Sequence, residues 1–125
     1  MQHVVFRFFV IDRDPFVAQD MCDGLRAACV GADVCHVSSV DELTALPDLA
    51  RDAGLGLPVV ITKKSIAEIM ASGLDLLVQQ INSQLVVRLG DDPVADILGR
   101  GWLPLAAPFS WDDLADLVQQ LQGRG

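Results

Sequence analysis

Apolar runs alternate with amphipathic segments along most of this chain. The first run, Phe6 to Ile11, is continuous and rich in β-formers, which is typical of a strand buried on both faces of a parallel sheet. Asp14 is suited to cap a helix and Pro15 to occupy its first position, and apolar residues then recur at three- and four-residue steps. The pattern therefore predicts a strand followed by a helix that ends near Gly31.

The same alternation continues to the C-terminus. It predicts further strands at 34–37, 58–62, 84–89 and 102–106. A second helix begins near Ser39, and Pro47 is expected to break it on the way to Gly54 because proline lacks an amide donor. A third helix is interrupted at Gly73 on the way to Ile81, the helix after it has only about seven residues, and a last helix begins near residue 110.

Strand–helix units in this order define the expected fold class. They predict an α/β fold, a doubly wound five-stranded parallel sheet with helices on both faces and a short fourth helix. The 125 residues suffice for one domain with a hydrophobic core and are too few for two, so 1–125 is expected to form a single domain. Residues 122–125 are interpreted as a tail or the stub of a linker.

Composition and charge narrow the classes of function. Charged residues interrupt every apolar run before it reaches the roughly 18 residues of a membrane span, and the N-terminal segment lacks the features of a signal peptide. We therefore expect a cytoplasmic protein with no membrane partner. The net charge of −8 disfavours direct binding to nucleic acid, because a phosphate backbone attracts clusters of lysine and arginine. Cys22 and Cys29 lie on one predicted helix face, and we expect them to be buried.

Two motifs connect this pattern to a known family. The run from Asp12 to Pro15 follows the first strand, and Ala107 to Phe109 joins the last strand to a capped amphipathic helix. Together with the strand–helix units around them, these motifs resemble the receiver (CheY-like) domain of two-component response regulators, which has flavodoxin-like topology. The resemblance implies a crevice at the carboxyl ends of the strands that holds Mg²⁺ and an aspartyl phosphate. It also implies a cis peptide bond between Ala107 and Pro108.

The positions that carry receiver chemistry hold other residues here. The acidic Mg²⁺ cluster corresponds to Asp12, Arg13 and Asp14, and the phosphoacceptor corresponds to Thr62 or Lys63. The hydroxyl residue of strand four corresponds to Leu89 or Gly90, and the lysine of strand five corresponds to Ala107. Arg13 places a fixed positive charge where the cation would sit, and neither Thr62 nor Lys63 forms an acyl phosphate. The resemblance therefore implies a degenerate pseudo-receiver with no catalytic residue, no metal and no cofactor, which is not an enzyme.

The leading hypothesis is a protein-interaction module of a signalling system. Its partner would be a kinase, an output domain, an assembly protein or a second copy of the chain. In receivers the output surface is formed by the fourth helix, the fifth strand and the fifth helix, and here that face is predicted to contain Trp102, Leu105, Phe109, Trp111 and Leu114. For Trp102, a place in the core is an equal alternative.

Two other functions stay open. A flavodoxin-like small-ligand binder or small enzyme would use the emptied crevice, which Leu89, Gly90 and Ala107 make more apolar. Alternatively, the chain is the N-terminal regulatory domain of a larger protein, since similar atypical receivers are fused to output domains.

Overall fold

The predicted strands form and associate into one parallel sheet. The computed structural model describes residues 5–47, 49 and 56–124, and the strands are β1 (Phe6–Ile11), β2 (Asp33–Val37), β3 (Leu57–Thr62), β4 (Gln84–Arg88) and β5 (Leu103–Leu105). Their order in the sheet is β2-β1-β3-β4-β5, and every neighbouring pair is parallel. The strand order reverses between β1 and β3, so the predicted doubly wound fold is confirmed.

Helices cover both faces of this sheet. They are α1 (Pro15–Ala28), α2 (Val40–Thr44), α3 (Ile66–Ser72), α4 (Leu74–Gln80), α5 (Val94–Gly99) and α6 (Trp111–Arg124). The predicted interruption at Gly73 is confirmed, because this residue has a φ of 77° and separates α3 from α4. The helix expected after Ser39 ends at Thr44, and the part of that prediction that falls on residues 48 and 50–54 lies outside the described residues.

The start of α5 and the end of α6 are defined by particular residues. The N-cap of α5 is Pro93, and the carboxylate of the preceding Asp92 accepts a hydrogen bond of 2.7 Å from the amide of Ile66, at the start of α3. At the C-terminus, α6 extends to Arg124, so residues 122–124 are helical, while residue 125 lies outside the described part.

Strands β1 to β4 contribute to two hydrophobic cores, one on each face of the sheet, and β5 contributes to one of them. On the face covered by α1 and α6, Phe8 and Val10 pack with Cys22 and Cys29, whose predicted burial is confirmed. Phe9 and other residues of β1 pack on the opposite face against α3, α4 and α5. The strand is buried along its whole length, which explains its unbroken apolar sequence. Within the described residues, no helix is long and apolar enough to span a bilayer.

Helices α1 and α6 approach closely because residue 24 has no side chain. A Cβ atom on Gly24 would lie 2.5 Å from Cδ1 of Leu114 and 2.9 Å from Cδ1 of Trp111. Both distances are shorter than a van der Waals contact, and Leu114 is fully buried. The glycine therefore fixes the separation of the two helices on this face of the sheet.

We predict that Gly24→Val destabilises the domain by about 1–3 kcal/mol, because the larger side chain forces Leu114 and the indole of Trp111 away from α1. The change is measured as the free energy of unfolding in urea. Gln19→Val, at an exposed position of the same helix, is the matched control and should cost only a few tenths of a kcal/mol through helix propensity. Equal losses in the two variants would contradict this role for Gly24.

Candidate functional site

The carboxyl ends of β1, β3 and β4 converge on one buried carboxylate. Asp12 directly follows β1, and only 2% of its surface is exposed. Lys63 follows β3, and Arg88 is the last residue of β4. Because parallel strands end at the same edge of a sheet, these three side chains meet there.

Both oxygens of the Asp12 carboxylate have cationic partners. Nη1 of Arg88 donates to Oδ2 at 2.8 Å, and Nζ of Lys63 lies 3.3 Å from Oδ1. The amide of Asp14 also donates to Oδ1, at 2.9 Å. The backbone carbonyl of Asp12 lies 2.7 Å from Nε2 of His36 at the end of β2. The chain itself thus supplies the positive charge that a buried carboxylate requires.

The pKa of Asp12 reflects this balance. Burial alone would raise the pKa, since it disfavours the charged form. The hydrogen bond from the Asp14 amide and the charges of Lys63 and Arg88 act in the opposite direction and outweigh it, so the pKa of the carboxyl group lies below its ordinary value of 3.8. Asp12 is therefore ionised at neutral pH.

Arg88 is the main residue of the site that sequence reasoning missed. The prediction placed Leu89 or Gly90 in the crevice, but the strand ends one residue earlier, and Arg88 is the β4 residue that reaches it. Its guanidinium also lies over the ring of Phe109, 5.4 Å from the centroid. The alternation of β4 contained the signal, because Val86 faces the α1 and α6 core and a residue two positions later points to the same side.

The other predicted site residues lie around the ion pair of Asp12 and Arg88. Asp14 caps α1 by accepting hydrogen bonds from the amides at 16 and 17, and it is not part of the pair. Thr62 is buried at the end of β3 and accepts a hydrogen bond from the Lys64 amide. Arg13 is exposed and lines the crevice beside Lys63. Thus Arg13, Thr62 and Lys63 all lie in the crevice.

At the other end of the site, Ala107 is exposed, and the peptide bond between Ala107 and Pro108 is cis, as predicted. Leu89 packs against the core on the α3 to α5 side of the sheet rather than in the crevice. Gly90 lines a separate depression beside Arg88. The structure therefore brings Arg88 rather than Leu89 to the carboxylate.

The predicted interaction face needs correction. Trp102, Leu105 and Leu114 are buried core residues, so they do not form an accessible surface, and of the two alternatives for Trp102 the core is the observed one. Trp111 is 49% exposed, but it lies against α1, where its indole N–H donates to Asp20 at 3.0 Å. Its position at the start of α6 turns it towards Gly24 rather than towards the α5 side.

An exposed aromatic residue was also missed. Phe16, in the first turn of α1, is 85% exposed. It lines a shallow cavity of about 300 Å³ together with Pro108 and the half-buried Phe109. Helical periodicity alone did not single it out, because its neighbours across the cavity come from the distant β5–α6 junction.

The residues at the strand ends do not fit a divalent cation. Mg²⁺ requires several oxygen ligands in octahedral geometry, whereas both oxygens of Asp12 already face cations and Arg13 stands beside them. No group of three or more His, Cys, Asp or Glu side chains suited to a metal occurs among the described residues. The site is an internal ion-pair cluster.

Comparison with solved structures finds the same fold in receiver domains. The chain is similar to the signal receiver domain of the DNA-binding response regulator protein merR from Colwellia psychrerythraea 34H, with a TM-score of 0.66 and 16% identity over 93% of this chain and 97% of that one. It is also similar to a response-regulator receiver domain from Rhodospirillum rubrum, with a TM-score of 0.59 and 18% identity over 93% and 90% of the two chains.

The response regulator StyR is a third structure with this fold. Its TM-score is 0.61 at 18% identity, and the match covers 95% of this chain but 61% of StyR. No protein-family model matches the sequence, and no curated protein matches it. At these identities the likeness establishes the fold alone: the chain has the five-stranded α/β fold of receiver domains.

We predict that Asp12→Asn lowers the free energy of unfolding at pH 7 by about 3 kcal/mol, because it leaves the largely buried Arg88 without its counter-ion. The folded-state pKa of Asp12 lies below the unfolded value of 3.8, so the stabilisation is fully present above that value and is lost as the pH falls through the folded-state pKa. The difference between the two proteins should therefore narrow in acid. Urea unfolding at a series of pH values measures it.

Asp116→Asn is the matched control for this measurement, since Asp116 is exposed on α6 and the same charge is removed. Its effect at pH 7 should be within about 0.5 kcal/mol. A difference between wild type and Asp12→Asn that stays constant below pH 3.8 would contradict the ion-pair assignment.

Proposed function

We propose that this protein is a signalling module of the two-component type that works without phosphorylation and acts by binding another protein. The observation that carries the proposal is the Asp12 carboxylate, which Arg88 and Lys63 hold from two sides. In a receiver that accepts a phosphoryl group, an acidic cluster binds Mg²⁺ at this point. We propose that the chain's own cations take the place of the metal here.

The residues around Asp12 support the same conclusion. An acyl phosphate requires a carboxylate nucleophile, and the end of β3 offers Thr62, which is buried, and Lys63, which is engaged with Asp12. The lysine that pairs with the phosphoryl group in receivers corresponds to Ala107 in our proposal, and Arg88 supplies a cation from β4 that is already paired. Because Arg88 is held in a buried ion pair, it is not free to respond to phosphorylation. We propose that the domain is not an enzyme and has no cofactor.

An aromatic surface beside this crevice is the proposed docking site. We call it the aromatic patch, and it consists of Phe16, Pro108, Phe109 and Trp111. Phe16 is 85% exposed and Trp111 is 49% exposed, and Phe16, Pro108 and Phe109 line one cavity. Aromatic residues are enriched at binding hot spots, and an exposed apolar patch of this kind is typical of an interface.

Acidic residues border the aromatic patch. Asp14 precedes Phe16 and holds its amide, Asp20 accepts the indole N–H of Trp111, and Asp112 follows Trp111. All three are exposed. A partner segment with an apolar anchor flanked by lysine or arginine complements this surface, whereas two copies of the patch would bring two acidic borders together. We therefore favour a different protein over a homodimer.

The class of the partner protein is proposed here in outline. A kinase, an output domain or an assembly protein all fit an acidic, aromatic docking surface. The match to this chain covers 61% of the response regulator StyR, which supports a role for the present domain alongside an output unit, in the same chain or in another one. The overall net charge of −8 supports a protein partner rather than direct contact with nucleic acid, and we propose a cytoplasmic location.

We predict that incubation with acetyl phosphate and Mg²⁺ adds no phosphoryl group to the protein. The reason is that the end of β3 carries Thr62 and Lys63 instead of a carboxylate, and that the Asp12 carboxylate is already paired with Arg88 and Lys63 instead of being open to a metal. Intact-mass spectrometry before and after incubation makes the measurement, with a receiver that carries the full acidic motif as the positive control. A hydroxylamine-sensitive mass increase of one phosphoryl group would overturn the proposed function.

We predict that Phe16→Ala weakens partner binding by about 2 kcal/mol or more while changing the free energy of unfolding by less than about 0.5 kcal/mol. The partner is first recovered from native extract with the wild-type domain, and its affinity is then measured for both proteins. Leu76→Ala, which removes a 60% exposed leucine from α4 on the opposite side of the sheet, is the matched control. A loss of affinity in the control but not in Phe16→Ala would place the interface elsewhere.

A further inference from the structure

We infer that the groove between α3 and α5 is a dimer interface, at which the α5 helices of two copies of this chain pack against each other in antiparallel orientation. We call this groove the α3–α5 groove, and its volume is about 630 Å³. The inference goes beyond the proposed function, because it concerns a different surface and a different partner from those of the aromatic patch. The residues of the groove that matter here are Ala67, Met70, Ala95, Asp96, Gly99 and Arg100.

Helix α5 is packed against the rest of the domain on one side only. Of its six residues, Ile97 is the one that is buried. Four of the other five are apolar or glycine, and Val94 and Leu98 are 42% and 49% exposed. Across the groove, Met70 of α3 is 46% exposed. Short helices depend on tertiary packing of their apolar residues for stability, so α5 is suited to a contact outside the monomer.

The walls of the α3–α5 groove are held together at both ends. At one end, the amide of Ile66 donates a hydrogen bond to the carboxylate of Asp92, two residues before α5, at 2.7 Å. At the other end, Nη1 of Arg100 donates to Sδ of Met70 at 3.7 Å. The same guanidinium lies over the ring of Trp102, 5.6 Å from its centroid. The groove is therefore already formed in the monomer, which lowers the cost of binding.

Two charged residues make this surface complementary to itself. Asp96 lies on α5 and Arg100 follows its last residue, and both are exposed. Within the described part of the chain, neither forms an ion pair, and the guanidinium of Arg100 is directed towards Met70 and Trp102. When two α5 helices pack antiparallel about a twofold axis, Asp96 of each copy faces Arg100 of the other. The same ion pair then forms twice.

The surface of α5 also permits a close approach. Ala95 and Gly99 line the groove with little or no side chain, and a Cβ atom on Gly99 would meet nothing within 4 Å. Helix α5 of one copy can therefore lie over the groove of the other, and twofold symmetry makes the arrangement reciprocal. Because a second copy pairs both charges at once, we assign the groove to it rather than to an unrelated helix.

The acidity of the chain does not prevent this contact. Two copies with a net charge of −8 repel each other, but at physiological ionic strength this repulsion is screened beyond about 8 Å, whereas the two ion pairs act at contact distance. The aromatic patch lies on the face of the sheet that α1 and α6 cover, opposite to α3 and α5. The dimer therefore leaves both aromatic patches free to bind a different protein.

The test is sedimentation equilibrium of the purified protein at constant ionic strength. The concentration series extends from about 10 µM to 1 mM, because two short helices form a small interface and the dimer is expected to be weak. Asp96→Arg and Arg100→Asp each place like charges opposite one another, and each should weaken dimerisation about tenfold or more. An equimolar mixture of the two variants restores both ion pairs and should recover the dimer, which misfolded variants could not do.

Gly99→Leu tests the close approach separately. The monomer has space for this side chain, so the variant should stay folded, whereas the added bulk should abolish the dimer. Gly123→Leu is the matched control, since Gly123 is an exposed glycine of α6 with equally open surroundings. Asp116→Arg on α6 and Arg26→Asp on α1 are the controls for the changes in charge, and thermal unfolding establishes that all variants are folded.

Three results would overturn the inference. The first is a protein that stays monomeric over the whole concentration series. The second is a dimer that Asp96→Arg, Arg100→Asp and Gly99→Leu leave unchanged, because its interface would then lie elsewhere. The third is a loss of the dimer in both charge variants with no recovery in their mixture, which would contradict the antiparallel pairing.

Discussion

The buried carboxylate of Asp12 is the constraint around which the ends of β1, β3 and β4 are arranged. An ionised group that is 2% exposed is tolerated only when opposite charge and hydrogen bonds replace its water shell. Arg88, Lys63 and the Asp14 amide provide that replacement from three separate segments of the chain. The ion pair consequently ties the three segments together, and removal of one partner leaves a buried charge on the other.

The ion pair compensates the Asp12 carboxylate with side chains of the chain itself. A divalent cation and a guanidinium both compensate a carboxylate, but the guanidinium is covalently attached and is present under all conditions. The protein therefore has a strand-end edge whose electrostatics are fixed by its own side chains. Arg88 also extends this edge to the β5–α6 junction through its contact with the ring of Phe109. The crevice and the aromatic patch are in this way connected by one side chain.

The aromatic patch and the crevice beside β1 and β3 have different chemistry. The aromatic patch is apolar with an acidic border and is suited to a protein segment, while the crevice is lined by charged side chains of both signs around Asp12. Arg88 lies between them, since it binds Asp12 on one side and lines the cavity next to Phe16 on the other.

The fold was largely predictable from local pattern. Buried parallel strands and amphipathic helices have distinct periodicities, so the α/β class, the five strands and the interruption at Gly73 followed from residue spacing. Errors were concentrated at element ends. The sequence predicted that β4 ends at residue 89, which placed an apolar residue in the site. The strand ends at Arg88 instead, and Arg88 is the central cation of the site.

The sequence by itself determined the order of strands and helices and the residue types that follow each strand, because both depend on residue type and spacing along the chain. Only the tertiary structure decided that Asp12 pairs with Arg88, 76 positions away, and that Trp102, Leu105 and Leu114 are core while Phe16 is surface. Those outcomes depend on the direction in which each side chain points once the sheet and helices have packed. That direction is set by the register between strands and by close approaches such as the one at Gly24, which no local pattern specifies.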